Sequence, residues 1–124
     1  MFENMDPEIR SKWLKRLRSA ESKGAGAYCE RNSYGEYSFC ALGHLFQVGY
    51  ESGMISRKEE DSCYVQYDNR IGAPDDETLV KFGLSQKEAA EIAYLNDSDT
   101  LKLSPSDIAD IIEKKVSENA QRYE

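Results

Sequence analysis

A cysteine and the only histidine of the chain stand four residues apart in Phe39-Cys40-Ala41-Leu42-Gly43-His44. On a helix, positions i and i+4 are about 40° apart around the axis, so a thiol and an imidazole at this spacing share a face. Such a pair can form a thiolate–imidazolium couple, because a helix N-terminus and a neighbouring histidine both lower the thiol's pKa. In a small cysteine-dependent enzyme, Cys40 would be the nucleophile, His44 its base and Asp97 the carboxylate that orients the imidazole. The surrounding residues point elsewhere. Phe39 to Tyr50 is too uniformly apolar for a surface helix, which predicts a helix at the centre of the fold. Both side chains are then expected to be packed, with His44 satisfied by a backbone carbonyl.

Other constellations fall short of chemistry. Cys29, Cys40, His44 and Cys63 could supply four metal ligands, but their spacings match no zinc pattern. Asn96-Asp97-Ser98-Asp99 begins like a calcium loop and then fails: Lys102 stands where glycine is needed, and Ile108 where the bidentate glutamate is needed. No metal and no cofactor is therefore expected. Leu84 to Ala93 resembles the first helix of a helix-turn-helix, yet the following turn carries Asp97 and Asp99, which repel phosphate. The basic residues Lys12, Lys15, Arg16 and Arg18 make a better surface for a partner or, as a second alternative, for nucleic acid.

The elements that must position these residues are those of a single domain spanning 1–124, large enough to bury about two-thirds of its unfolded surface. Apolar runs are only a few residues long, so no membrane span is expected. The acidic Met-Phe-Glu-Asn-Met-Asp-Pro-Glu start has no basic region or apolar stretch of a secretory signal, and the expectation is a cytoplasmic protein. Three cysteines without a Cys-x-x-Cys fit free thiols. The net charge of −7 is uneven: residues 1–23 carry six basic and four acidic side chains, residues 24–124 ten and nineteen. Such an acidic body repels nucleic-acid phosphates and favours solubility, basic partners or metal cations.

Asp6-Pro7-Glu8 reads as a helix start, followed by an apolar stripe of Ile9, Trp13, Leu17 and Ala20 and an end at Gly24 and Gly26. Six of eight tyrosines fall between Ala27 and Tyr67. There, Ala27–Glu30 and Glu36–Phe39 read as strands joined by Asn32-Ser33-Tyr34-Gly35, with a third strand at Cys63–Tyr67. The central helix should end near Gly49, and Gly43 inside it predicts a close backbone approach. The last third reads as three helices. The first runs from Asp75 to Phe82 and stops at Gly83; the second opens at the capping box Ser85–Glu88 and runs through Asn96. The third opens at Ser104-Pro105-Ser106-Asp107 and buries Ile108, Ile111, Ile112 and Val116.

Several of these pieces occur in a familiar order. Trp13-Leu14-Lys15-Arg16-Leu17-Arg18-Ser19, Tyr37-Ser38-Phe39-Cys40-Ala41-Leu42-Gly43-His44-Leu45, Leu95-Asn96-Asp97 and Ser106-Asp107-Ile108-Ala109-Asp110-Ile111-Ile112-Glu113 together resemble a family of small uncharacterised bacteriophage and prophage proteins. The family's typical Phe-Cys-Cys-Leu-Gly-Val-Leu differs here at Ala41 and His44, so His44 lies outside the family pattern. The resemblance implies a phage setting and carries no activity. An α+β fold is expected, with a small antiparallel sheet packed on the central helix and the N-terminal and C-terminal helices around it. The expected function is that of a phage-type accessory protein acting by binding, with a host protein in the host cytoplasm as the target it would modulate. Tyr34, Tyr37, Asn96, Asp97, Lys12 and Arg16 are the candidate contact residues.

Overall fold

Helix α2 (Ala41–Glu51) is the axis around which the other elements pack, and every residue from Ala41 to Gly49 is buried. The computed structural model describes residues 1–21, 23–24, 26–59 and 63–122, with side chains as far as residue 117. Among the described residues, five helices and two small antiparallel sheets make an α+β fold. Helix α1 (Pro7–Ser19) opens on Asp6, whose carboxylate accepts from the N–H groups of Glu8 and Ile9 at 2.8 and 3.3 Å. It buries Ile9, Trp13, Leu14 and Leu17 against α2 and α5 (Pro105–Arg122). The helix stops at Ser19, before the glycines expected to end it. Ala20 turns to extended backbone, and Gly24 serves instead as a strand-like neighbour, its N–H donating to Phe39 C=O at 2.9 Å.

Strands β1 (Cys29–Arg31) and β2 (Tyr37–Phe39) pair antiparallel, with Cys29 opposite Phe39 and Arg31 opposite Tyr37. Their turn is held by Asn32, whose side-chain oxygen accepts from the N–H groups of Tyr34 and Glu36 at 2.9 and 3.0 Å. The expected third strand is β4 (Val65–Tyr67), which pairs with β3 (Arg57–Glu59). The single sheet expected from the sequence is thus two two-stranded sheets. A bridge between Glu30 and Tyr64, with Arg31 N–H donating to Cys63 C=O at 2.6 Å, sets them side by side. The resulting spatial order is β2-β1-β4-β3.

Backbone touches backbone where this hairpin meets α2. A Cβ on Gly43 would lie 1.7 Å from the carbonyl oxygen of Tyr28, so only glycine permits the approach. Gly49 does not end the helix, which continues to Glu51; its bare surface receives the Phe82 ring, whose tip would be 2.3 Å from an added Cβ. Helix α3 (Asp76–Phe82) is capped by Asp75 and ends on Gly83 at φ 71°, where Leu84 N–H returns to Leu79 C=O at 3.0 Å. Helix α4 (Gln86–Asp97) opens on the Ser85–Glu88 capping box. Ser104 and Asp107 reciprocate in the same way at the start of α5, which buries Ile108, Ala109 and Ile112 fully and Ile111 and Val116 in part.

Candidate functional site

Cys40 is the N-cap of α2 and sits just outside the helix, with extended backbone. The angular argument that would align it with His44 therefore does not apply. Its sulfur folds back to accept from Gly43 N–H at 3.3 Å. Asn96, only 3% exposed, supplies a second cap from across the fold: its oxygen accepts from Ala41 N–H at 2.9 Å. Its amide donates to Gly24 C=O at 2.9 Å and to the Asp97 carboxylate at 2.8 Å. The Trp13 indole N–H donates to Ala41 C=O at 2.9 Å, and Cys40 N–H to Tyr28 C=O at 3.2 Å. Helix starts leave backbone donors without partners, and here the neighbouring Cys40 sulfur and the distant Asn96 side chain satisfy two of them. Trp13, Cys40, Gly43, Asn96 and Asp97 thus meet at one junction around the start of α2. Asn96 lies near the C-terminal end of α4 and caps the start of α2.

The chemistry of an activated pair is absent from this junction. Burial pushes the Cys40 thiol up to about 11, against the lowering effect of the Gly43 hydrogen bond, and the nearby Asp97 charge pushes the same way as burial. Burial brings His44 down to about 4, with the Arg16 charge adding to the effect. At neutral pH the two side chains are a thiol and a neutral imidazole. They also face different hollows. Cys40, Asn96 and Asp97 line a slot of about 220 Å³ beside α4, whereas His44 lines a groove of about 680 Å³ beside α1. Of the residues considered for catalysis, Cys40 and Asp97 come together and His44 stands apart. The expected backbone carbonyl for His44 is not there either. Its ring stacks on Phe39 at 5.0 Å, and neither nitrogen finds a hydrogen-bond partner among the described residues.

The larger groove gathers three of the six candidate contact residues, Lys12, Arg16 and Tyr37. Lys12, Lys15, Arg16 and Ser19 recur at i, i+3, i+4 and i+7 along α1 and make one wall. Tyr37 and Phe39 of β2 make the other, with His44 and Val48 of α2 between them. The Arg16 guanidinium lies 4.9 Å over the Phe39 ring and 3.7 Å from the Glu51 carboxylate, while its Nε is buried with no partner among the described residues. Lys12 pairs with Glu8 at 3.5 Å; Lys15 has no ion pair with a described residue.

Tyr37 is 43% exposed, and its hydroxyl donates to Glu59 at 2.7 Å. Beside it, Arg57 sits 5.4 Å from the Tyr37 ring and 5.7 Å from that of Tyr50. Tyr34, 86% exposed, marks the hairpin tip. Tyr28 and Tyr67 are core residues, the latter donating its hydroxyl to Gln47 at 2.6 Å, and offer nothing to a partner. Phe39, Arg57 and Glu51 are contributors that sequence reasoning missed. Only Phe39 had a visible signal, as an aromatic at a strand end. Among the described residues no cluster of three His, Cys, Asp or Glu could hold a metal ion, and no helix is long and apolar enough to cross a membrane. Comparison with family models, curated proteins and solved structures finds no match to this chain.

Proposed function

We propose that the chain acts by binding a protein partner, with the groove between α1 and β2 and the neighbouring hairpin tyrosines as its contact surface. The resemblance to phage and prophage proteins makes a host protein the partner in this reading. The observation that carries it is the groove itself, where the α1 stripe of Lys12, Lys15 and Arg16 faces the exposed Tyr37 across about 680 Å³. Tyrosine and arginine are among the residue types that most often dominate binding energy, tyrosine because it offers large contact area at low entropic cost and arginine because its planar fork pairs and stacks at once. The enzyme alternative has less support, because Cys40 is a half-buried, protonated thiol that lines a different hollow from the groove that holds His44. Nucleic acid fits poorly too: Lys12 and Arg16 already have acidic partners, and Glu21, Glu36 and Glu51 line the same groove.

The test compares capture from host lysate by the wild-type chain, by a Tyr34→Ala/Tyr37→Ala double variant and by Tyr94→Ala, an exposed residue of α4 outside the groove. The double variant should bind the captured protein at least about tenfold more weakly, and Tyr94→Ala should bind it normally. Capture that is indifferent to the double variant would overturn the reading.

A further inference from the structure

We propose that the floor of this groove is a carboxylate site, in which Arg16 and His44 receive one Asp or Glu side chain from an otherwise uncharged segment of the partner protein. The inference rests on the groove being the recognition surface. Three buried polar atoms without a hydrogen-bond partner among the described residues belong to just these two groove-lining residues: Arg16 Nε, His44 Nδ1 and His44 Nε2. His44 is only 6% exposed, so its nitrogens have given up hydration without compensation. The Phe39 ring links the two side chains, with the guanidinium 4.9 Å from its centroid and the imidazole 5.0 Å from it.

The chemistry of the donors selects the ligand. Arg16 Nε–H can only donate, and a neutral imidazole donates from one nitrogen whichever tautomer it adopts. Two donors call for acceptor oxygens, and a carboxylate presents two of them with a charge that complements arginine. It also gives the imidazole a reason to take up a proton, which then engages the second nitrogen. The charges around the groove limit the ligand to a single negative group. Lys12 and Arg16 are paired with Glu8 and Glu51, which leaves Lys15 as the cation with no ion pair among the described residues. Glu21, Glu36 and Glu51 line the same walls and repel a phosphate dianion. Access comes through Arg16: its side chain is 30% exposed and its tip is held by the 3.7 Å pair with Glu51 and the stacking on Phe39, so its rotamers yield before the backbone does.

His44 is the only histidine, so its ring resonances in proton NMR report the site without ambiguity. The probe is N-acetyl-glutamate α-amide, titrated at constant ionic strength beside N-acetyl-glutamine α-amide and inorganic phosphate. The acid should shift the His44 resonances saturably at millimolar concentration and raise their titration midpoint by about one pH unit or more. The amide should produce no saturable shift. Arg16→Lys, which keeps the charge and loses the Nε–H, should weaken the response several-fold while circular dichroism shows the helices intact. An equal response to acid and amide, a tighter response to phosphate, no saturation, or an unchanged response in Arg16→Lys would each sink the carboxylate site. If partner capture still depends on Tyr34 and Tyr37 after such a result, the groove reading survives and only the carboxylate assignment falls.

Discussion

Gly43→Ala pits two opposing effects against each other at a single atom. In an ordinary helix interior, replacing glycine by alanine stabilises by about 1 kcal/mol. Here the new methyl would stand 1.7 Å from the Tyr28 carbonyl oxygen and 2.6 Å from the carbonyl carbon, and both are backbone atoms that cannot rotate away. Relief requires the hairpin and α2 to part by roughly 1.5 Å. Overpacking of this kind costs about 1–3 kcal/mol. The parting also stretches the 3.2 Å hydrogen bond from Cys40 N–H to Tyr28 C=O, a further loss of about 1 kcal/mol. The clash wins, and the net expectation is a loss of about 2 kcal/mol, which lowers the urea midpoint by about 1 M for a domain of this size. Urea titration followed by Trp13 fluorescence measures it directly, because Trp13 is the only tryptophan and is fully buried against α2. Gly49→Ala is the internal comparison: there the obstacle is the tip of the Phe82 ring, which can turn, so the loss should be smaller. A Gly43→Ala chain as stable as wild type, or more stable, would refute the reasoning about the helix–hairpin contact.

Asn96→Ala removes the cap of Ala41 and leaves Ala41 N–H and Gly24 C=O without their partner, so it should cost about 3 kcal/mol; a loss below about 0.5 kcal/mol would mean the junction is not where stability resides. His44 predicts a pH dependence. Above its ordinary value of 6.5 neither the folded nor the unfolded chain protonates it; between there and about 4 only the unfolded chain does, so stability falls as the pH drops through that window. The fall amounts to about 3 kcal/mol, and His44→Leu should lack it when urea midpoints at pH 7 and pH 4.5 are compared. Equal slopes in the two chains would contradict the burial of a neutral imidazole. Iodoacetamide at pH 7 should label the exposed Cys63 first and the half-buried Cys40, raised to about 11 by desolvation, much more slowly, with buried Cys29 reacting only on unfolding. Native-state labelling of Cys40 as fast as a free thiol would reopen the enzyme alternative.

Helix beginnings were the most legible part of the sequence, because capping is settled within four residues. Asp6, Ser85 and Ser104 all cap where their side chains predict, while Asp75, read as the first residue of its helix, is its N-cap. The Gly43 approach was legible for a similar reason: a glycine inside an apolar helix needs a cause. Strand β3 was not, since Arg57-Lys58-Glu59 is polar throughout and has no alternation to betray an outer strand. The end of α1 was missed because the chain leaves the helix to lie along Phe39, a tertiary choice that overrode the glycine signal. The candidate site was half legible. Lys12, Arg16 and Tyr37 do share a groove, but the separation of Cys40 from His44 turns on Cys40 standing one residue outside the helix, which no spacing argument can resolve.

The cap that Asn96 places on Ala41 spans 55 residues of chain. During synthesis, therefore, the central segment leaves the ribosome long before the residue that completes its first turn exists. Until then its apolar surface has no finished home, and the nascent chain must wait, exposed or sheltered by a chaperone, for α4 to arrive. Maturation of the central helix is thus set to happen late, once α4 has been made.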